Sequence, residues 1–245
     1  MSTSLQAEPS PLRVVLAAEA LRFAWPRVKK PCIDIEAFRI TAGESVFLHG
    51  PSGCGKSTLL SLLAGVLVAD EGRVTLLGHD WSKLSGAARD RSRVAHVGYI
   101  FQQFNLLPYL SVLDNVLLPC RFSARRMERA SRDGTARAQA EELLAQMSLD
   151  ASLWQRQAMQ LSVGQQQRVA AARALVGHPE IVIADEPTSA LDEGRREAFL
   201  DVLLSACRTN HSALVFVSHD QRIAERFSRH VLLPEINRAA SGELA

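Results

Sequence analysis

SVFLH (45–49), GPSGCGKST (50–58) and LLSLLAGVL (59–67) follow one another without a break. A short apolar run, a glycine-rich loop and an apolar run at helical spacing read as strand, tight turn and helix. The loop comprises Gly50, Pro51, Ser52, Gly53, Cys54, Gly55, Lys56, Ser57 and Thr58, and it fits G-x-x-x-x-G-K-[ST] in the setting that this pattern requires. Glycines let the backbone curl so that several N–H groups point inward at phosphate oxygens, and the helix N-terminus adds its positive dipole end. Lys56 is placed to reach the β- and γ-phosphates, and the Ser57 hydroxyl to ligate Mg²⁺. The expected ligand is a nucleoside triphosphate.

A second strand, IVIADEP (181–187), delivers Asp185 to its carboxyl end, where open α/β sheets bind ligands. A carboxylate there suits Mg²⁺, and Glu186 beside it suits a general base that polarises the attacking water. VAHVGYIF (94–101) and ALVFVS (213–218) also read as buried strands. Strands alternating with helices argue for an α/β fold with a mainly parallel sheet covered on both faces. Between residues 105 and 160 the pattern is helical, with proline stops at Pro108 and Pro119 and a helix around Ala138–Met147, so a helical lobe is expected there. The expected domain spans 12–233, with the core at 12–104 and 161–233 and tails at 1–11 and 234–245. No strand pattern is visible after His219.

The chain has 245 residues, 47% hydrophobic and 22% charged, with a net charge of +2. This composition excludes a disordered or fibrous chain, and the charge gives no reason to expect nucleic acid as a partner. The longest apolar stretch, Leu59 to Ala69, is too short to span a bilayer. The N-terminus MSTSLQAEPS has neither a basic region nor an apolar core, so a cytoplasmic protein is expected. Cys32, Cys54, Cys120 and Cys207 lack metal-ligand spacing and read as free thiols, with a redox switch at Cys54 as the alternative. Arg121 to Arg137 carries six arginines against two acids. A solvated helix face is the favoured reading there, ahead of a phosphate- or lipid-binding patch.

Other segments mean little alone. LSVGQ (161–165) reads as a helix cap with a glycine turn, His219 as a structural histidine and Gln102 as a surface amide. Taken in order with the phosphate loop, they resemble the nucleotide-binding subunits of ATP-binding cassette (ABC) transporters over roughly residues 12 to 233. GPSGCGKST resembles the Walker A loop, FQQFNLLP (101–108) the Q-loop and LSVGQQQRVAAARAL (161–175) the signature helix. IVIADEP resembles Walker B, SALD (189–192) the D-loop and SHD (218–220) the switch histidine, while LRFAWP (21–26) puts Trp25 at the adenine-stacking position. The N-terminal part is then expected to be an antiparallel β portion.

That resemblance implies a homodimer that sandwiches two ATP molecules head to tail. Ser162, Gly164 and Gln165 of one copy would face the ATP of the other, and Asp192 would couple the two sites. His219 would hold the γ-phosphate and the water that Glu186 activates. Gln102 would touch Mg²⁺ or water and report occupancy to the helical lobe, which docks on an integral membrane permease. The cassette would sit peripherally on the inner face of the membrane. Val163 replaces the first glycine of the usual L-S-G-G-Q, and a β-branched residue there must avoid positive φ. The Q-loop and signature text is most similar to the lipoprotein-release and macrolide-export group, with an amino-acid importer subunit as the alternative. A soluble ribosomal or DNA-repair ABC protein would need a second cassette or a long coiled coil. A small-molecule kinase would have no use for LSVGQ or SALD.

Overall fold

The computed structural model describes residues 13–239 apart from 190 and 192. Strand β1 (Val14–Phe23) pairs antiparallel with β2 (Ile33–Thr41) and β4 (Glu71–Leu76), and β4 pairs with β5 (His79–Asp80). The second sheet is parallel. Its order is β6 (Val97–Ile100), β7 (Ile181–Asp185), β8 (Ala213–Val217), β3 (Ser45–His49), β9 (Arg229–Leu232).

Side chains alternate across a strand, so the parallel sheet feeds two cores. Phe47, Val182, Ala184, Leu214 and Phe216 enter one, closed by α3 (Val112–Phe122), α5 (Ala136–Gln146), α6 (Val163–Leu175) and α7 (Glu193–Thr209). Val46, Leu48, Ile181, Ile183, Val215 and Val217 enter the other, closed by α1 (Lys56–Leu63) and the antiparallel sheet. Each large apolar side chain buried this way contributes about 1.5–3 kcal/mol. The α/β fold expected from the alternating runs is the one observed.

Four local expectations differ from the structure. The strand read from Val94 begins at Val97, because Ser85 Oγ accepts from Ala88 N and starts α2 (Gly86–His96), which runs through Val94. Pro119, read as a stop, lies inside α3, where burial of Val112, Leu113, Val116 and Cys120 outweighs the lost backbone bond. β9 follows His219 although RHVL shows no apolar run. It is an edge strand that buries only Val231. The expected tail is folded from its start, as α8 (Leu233–Ile236) followed by Asn237, which is 1% exposed.

The arginine run is less of a solvated face than expected. Arg121 pairs with Asp114, Arg125 and Arg129 both reach Glu180, and Arg137 pairs with Glu141. Arg126, in α4 (Ala124–Ala130), is 1% exposed. Its guanidinium donates to the carbonyls of Val94 and Val97 at the end of α2, and of Ala174 and Val176 at the end of α6. Those are the groups that a helix end leaves without partners. Burial lowers the Arg126 pKa to about 10, against the opposing pull of the Glu180 charge.

Candidate functional site

The site sits at the carboxyl ends of the parallel strands. Gly55, the N-cap of α1, has φ 100°, and a Cβ there would lie 3.0 Å from Ile33 Cδ1 and 3.2 Å from the Cys32 carbonyl. No side chain caps α1, so its first N–H groups are available to an anion, as a phosphate cradle requires. Lys56 is 7% exposed, and its Nζ donates to the Gly50 and Pro51 carbonyls at 2.8 and 3.0 Å. The loop thus holds its own cation across the cradle.

Ser57 follows Lys56 at the start of α1, with its hydroxyl beside the Asp185 carboxylate at the end of β7. Burial raises the Asp185 pKa and the Glu186 charge adds to it, while the neighbouring Ser57 hydroxyl and the Lys56 charge oppose both. Ser57 and Asp185 are two hard oxygen donors side by side, a set that fits Mg²⁺ shared with phosphate oxygens. Among the described residues, no cluster of three or more His, Cys, Asp or Glu would hold a metal by itself.

Glu186 has φ 47°, the left-handed region that costs a non-glycine residue strain. Its N–H donates to the Val217 carbonyl at 3.1 Å. This turn aims the side chain at β8, where Glu186 Oε1 meets His219 Nε2 at 2.6 Å. The His219 side chain is 50% exposed and that of Glu186 19%, so the pair lies within reach of solvent. Asp185 pairs in register with Val217, and this register brings the two loops together. The structure therefore gathers Lys56, Ser57, Asp185, Glu186 and His219.

Gln102 lies just beyond β6, which pairs with β7 through Ile100 and Ala184, and its side chain is exposed. The segment after it is held by Arg173 of α6, which donates to the Phe104 and Asn105 carbonyls at 2.5 and 2.7 Å. Arg173 is a connection that the sequence reading missed, since nothing in QQQRVAAARAL marks one arginine as reaching that loop.

Ser162 and Gln165 form a capping box. Ser162 Oγ accepts from Gln165 N, and Gln165 Oε1 accepts from Ser162 N at 2.9 Å. Val163 opens α6 with its side chain half exposed and no positive φ, so its β-branch costs no strain. Gly164 follows on the first turn. No hydrogen bond links Ser162, Gly164 or Gln165 to the phosphate loop among the described residues. Trp25 is 46% exposed and edge-to-face with Phe23 at 5.3 Å, on the β1–β2 connection whose far end, Cys32, abuts Gly55. Asp192 lies outside the described residues. A cleft of about 640 Å³ between α5 and α7, lined by Gln139, His178 and Asn210 among others, shares none of these residues.

Residues 34–189 match the family model described as ABC transporter. The lipoprotein-releasing system ATP-binding protein LolD of Legionella pneumophila (strain Paris) is 41% identical over 196 residues, covering 80% of this chain and 83% of its own. LolD of Xanthomonas euvesicatoria pv. vesicatoria (strain 85-10) is 35% identical over 239 residues, 97% of this chain and 94% of its own. The uncharacterized ABC transporter ATP-binding protein YbbA of Escherichia coli (strain K12) is 40% identical over 190 residues, 78% of this chain and 80% of its own. Among solved structures, the dimeric post-hydrolysis state of the ATP-binding cassette MJ0796 bound to ADP and Pi superposes with a TM-score of 0.79 at 30% identity. The match covers 92% of this chain and 95% of that one. The chain belongs to the ABC transporter family and is an ATP-binding, ATP-hydrolysing subunit of it.

Proposed function

We propose that this subunit drives an envelope complex of the lipoprotein-releasing kind, in which ATP binding and hydrolysis in a cassette dimer are transmitted to a membrane permease. The observation that supports the chemistry is the 2.6 Å contact between Glu186 and His219 beside the Ser57–Asp185 pair. The N–H groups of the loop and Lys56 hold the β- and γ-phosphates, and Trp25 stacks on adenine. Ser57 and Asp185 would hold Mg²⁺, which when bound would neutralise charge on the phosphates. Glu186 accepts the proton of the attacking water, and His219 fixes the orientation of that carboxylate while reaching the γ-phosphate. General-base help of this kind contributes about 10²–10⁴ in rate.

Ser162, Gly164 and Gln165 close the second wall of each site from the partner copy, Asp192 couples the two sites, and Gln102 passes occupancy to the helical segment. Release of lipoproteins, or of a similarly amphiphilic substrate, rests on the LolD relatives, one of which aligns with 97% of this chain. No helix among the described residues is long and apolar enough to cross a membrane. A permease would therefore supply the crossing and hold this subunit on its inner face.

The test is capture of the Glu186→Gln protein from detergent-solubilised native membranes with ATP present, followed by mass spectrometry. A permease with few transmembrane helices and a large outer domain supports the proposal. A many-spanning importer permease, or no membrane protein at all, overturns it.

A further inference from the structure

The chain beyond β9 returns to the phosphate loop. β9 pairs in parallel with β3, the strand that feeds the loop, through His49 and Leu232. α8 then begins at the same sheet end as Gly50, where a Cβ would stand 3.1 Å from Pro234. One turn later Asn237 turns inward, and its carboxamide has all four of its hydrogen-bonding positions engaged. Its Oδ1 accepts from Asp34 N at 2.8 Å and from Ala239 N at 3.3 Å. Its Nδ2 donates to the Cys32 carbonyl at 3.0 Å and to the Cys54 carbonyl, in the middle of the loop, at 3.4 Å. At 1% exposure these groups have no water to turn to if a partner moves. Next to it, Arg238 pairs with Asp34 and Glu36, fastening the same segment to β2 without touching the loop.

We propose that Asn237 is a positioning residue for the phosphate loop, and that residues 233–237 form a strap fixing the Cys54 peptide, so that the neighbouring N–H groups keep the geometry ATP requires. This rests on the reading of the loop as the ATP cradle. Asn237→Asp keeps the size and the acceptor facing Asp34 N but cannot donate to the two carbonyls. It should raise KM for ATP about fivefold or more, the low end of usual coupling between sites, and leave kcat within about twofold. Arg238→Ala should lower Tm and leave KM unchanged, separating loss of the strap's anchorage from loss of the tie.

If Asn237→Asp does not fold, the wild-type protein still decides, because coupling is reciprocal. Saturating ADP should slow hydrogen exchange at Asp34, Asn237 and Ala239 as well as in the loop. An unchanged KM in folded Asn237→Asp, or protection confined to the loop, overturns the strap. Failure of the wild-type protein to bind ADP would instead strike the reading of the loop.

Discussion

His219 Nε2 stands 2.6 Å from Glu186 Oε1 although the two residues follow different strands. The carboxylate is thereby oriented before any proton moves. Glu186→Gln keeps the side-chain shape and removes the base. Phosphate release should fall by about 10²–10⁴, while ATP stays bound and a dimer elutes on size exclusion. A monomeric variant that still hydrolyses ATP would remove Glu186 from the role of base.

Lys56 Nζ is held by two loop carbonyls, so its charge is aimed across the cradle. A hydrogen bond to a charged group contributes about 1.5–3 kcal/mol. Lys56→Ala should therefore weaken ATP binding roughly 10- to 100-fold by calorimetry. Unchanged affinity would show that the phosphates lie elsewhere.

Val163 stands where a glycine is usual, yet it adopts no positive φ and its side chain is half exposed. Val163→Gly should shift stability by only a few tenths of a kcal/mol, the difference between two poor helix formers, and change ATPase less than about threefold. A tenfold gain in kcat would mean that the valine restrains the site.

Glu180 accepts from His96, Arg125 and Arg129 at one sheet end, with its side chain 14% exposed. Burial alone would raise its pKa, but the hydrogen bonds and charges of His96 and Arg125 prevail and hold it at about 2, against the ordinary 4.5. Between those values the unfolded chain binds more protons than the folded one, so stability is present above pH 4.5 and is lost as pH falls towards 2. The shift corresponds to about 3 kcal/mol at neutral pH. Glu180→Gln should lose about that much at pH 7 in urea unfolding and show a flatter acid limb. Parallel pH profiles for the two proteins would refute the assignment.

The phosphate loop was legible because its chemistry is contiguous: glycines, lysine and serine act through backbone that they themselves shape. Asp185 and Glu186 were legible for the same reason, as the end of one apolar strand. That Glu186 and His219 share one site was suggested only by resemblance, and their direct contact not at all, since it depends on the register of β7 with β8. Arg173 and Asn237 left no trace in the pattern. Each acts by donating to backbone carbonyls far along the chain, and carbonyls are present at every position. β9 was hidden because an edge strand needs only one buried side chain, Val231, to be held.

The buried guanidinium of Arg126 grips α6 at its carboxyl end while the same group grips the end of α2 and the start of β6. That end of α6 is consequently tied to two neighbouring elements through one side chain. At 1.5 Å per residue its thirteen residues span about 20 Å, with Ser162 at the far tip. A tilt of about 5° would move the tip by roughly 1.7 Å over that length, enough to make or break a hydrogen bond across a dimer interface. If Ser162 faces the partner copy's nucleotide as proposed, a small angle at the Arg126 joint would change that distance with no change in the helix itself.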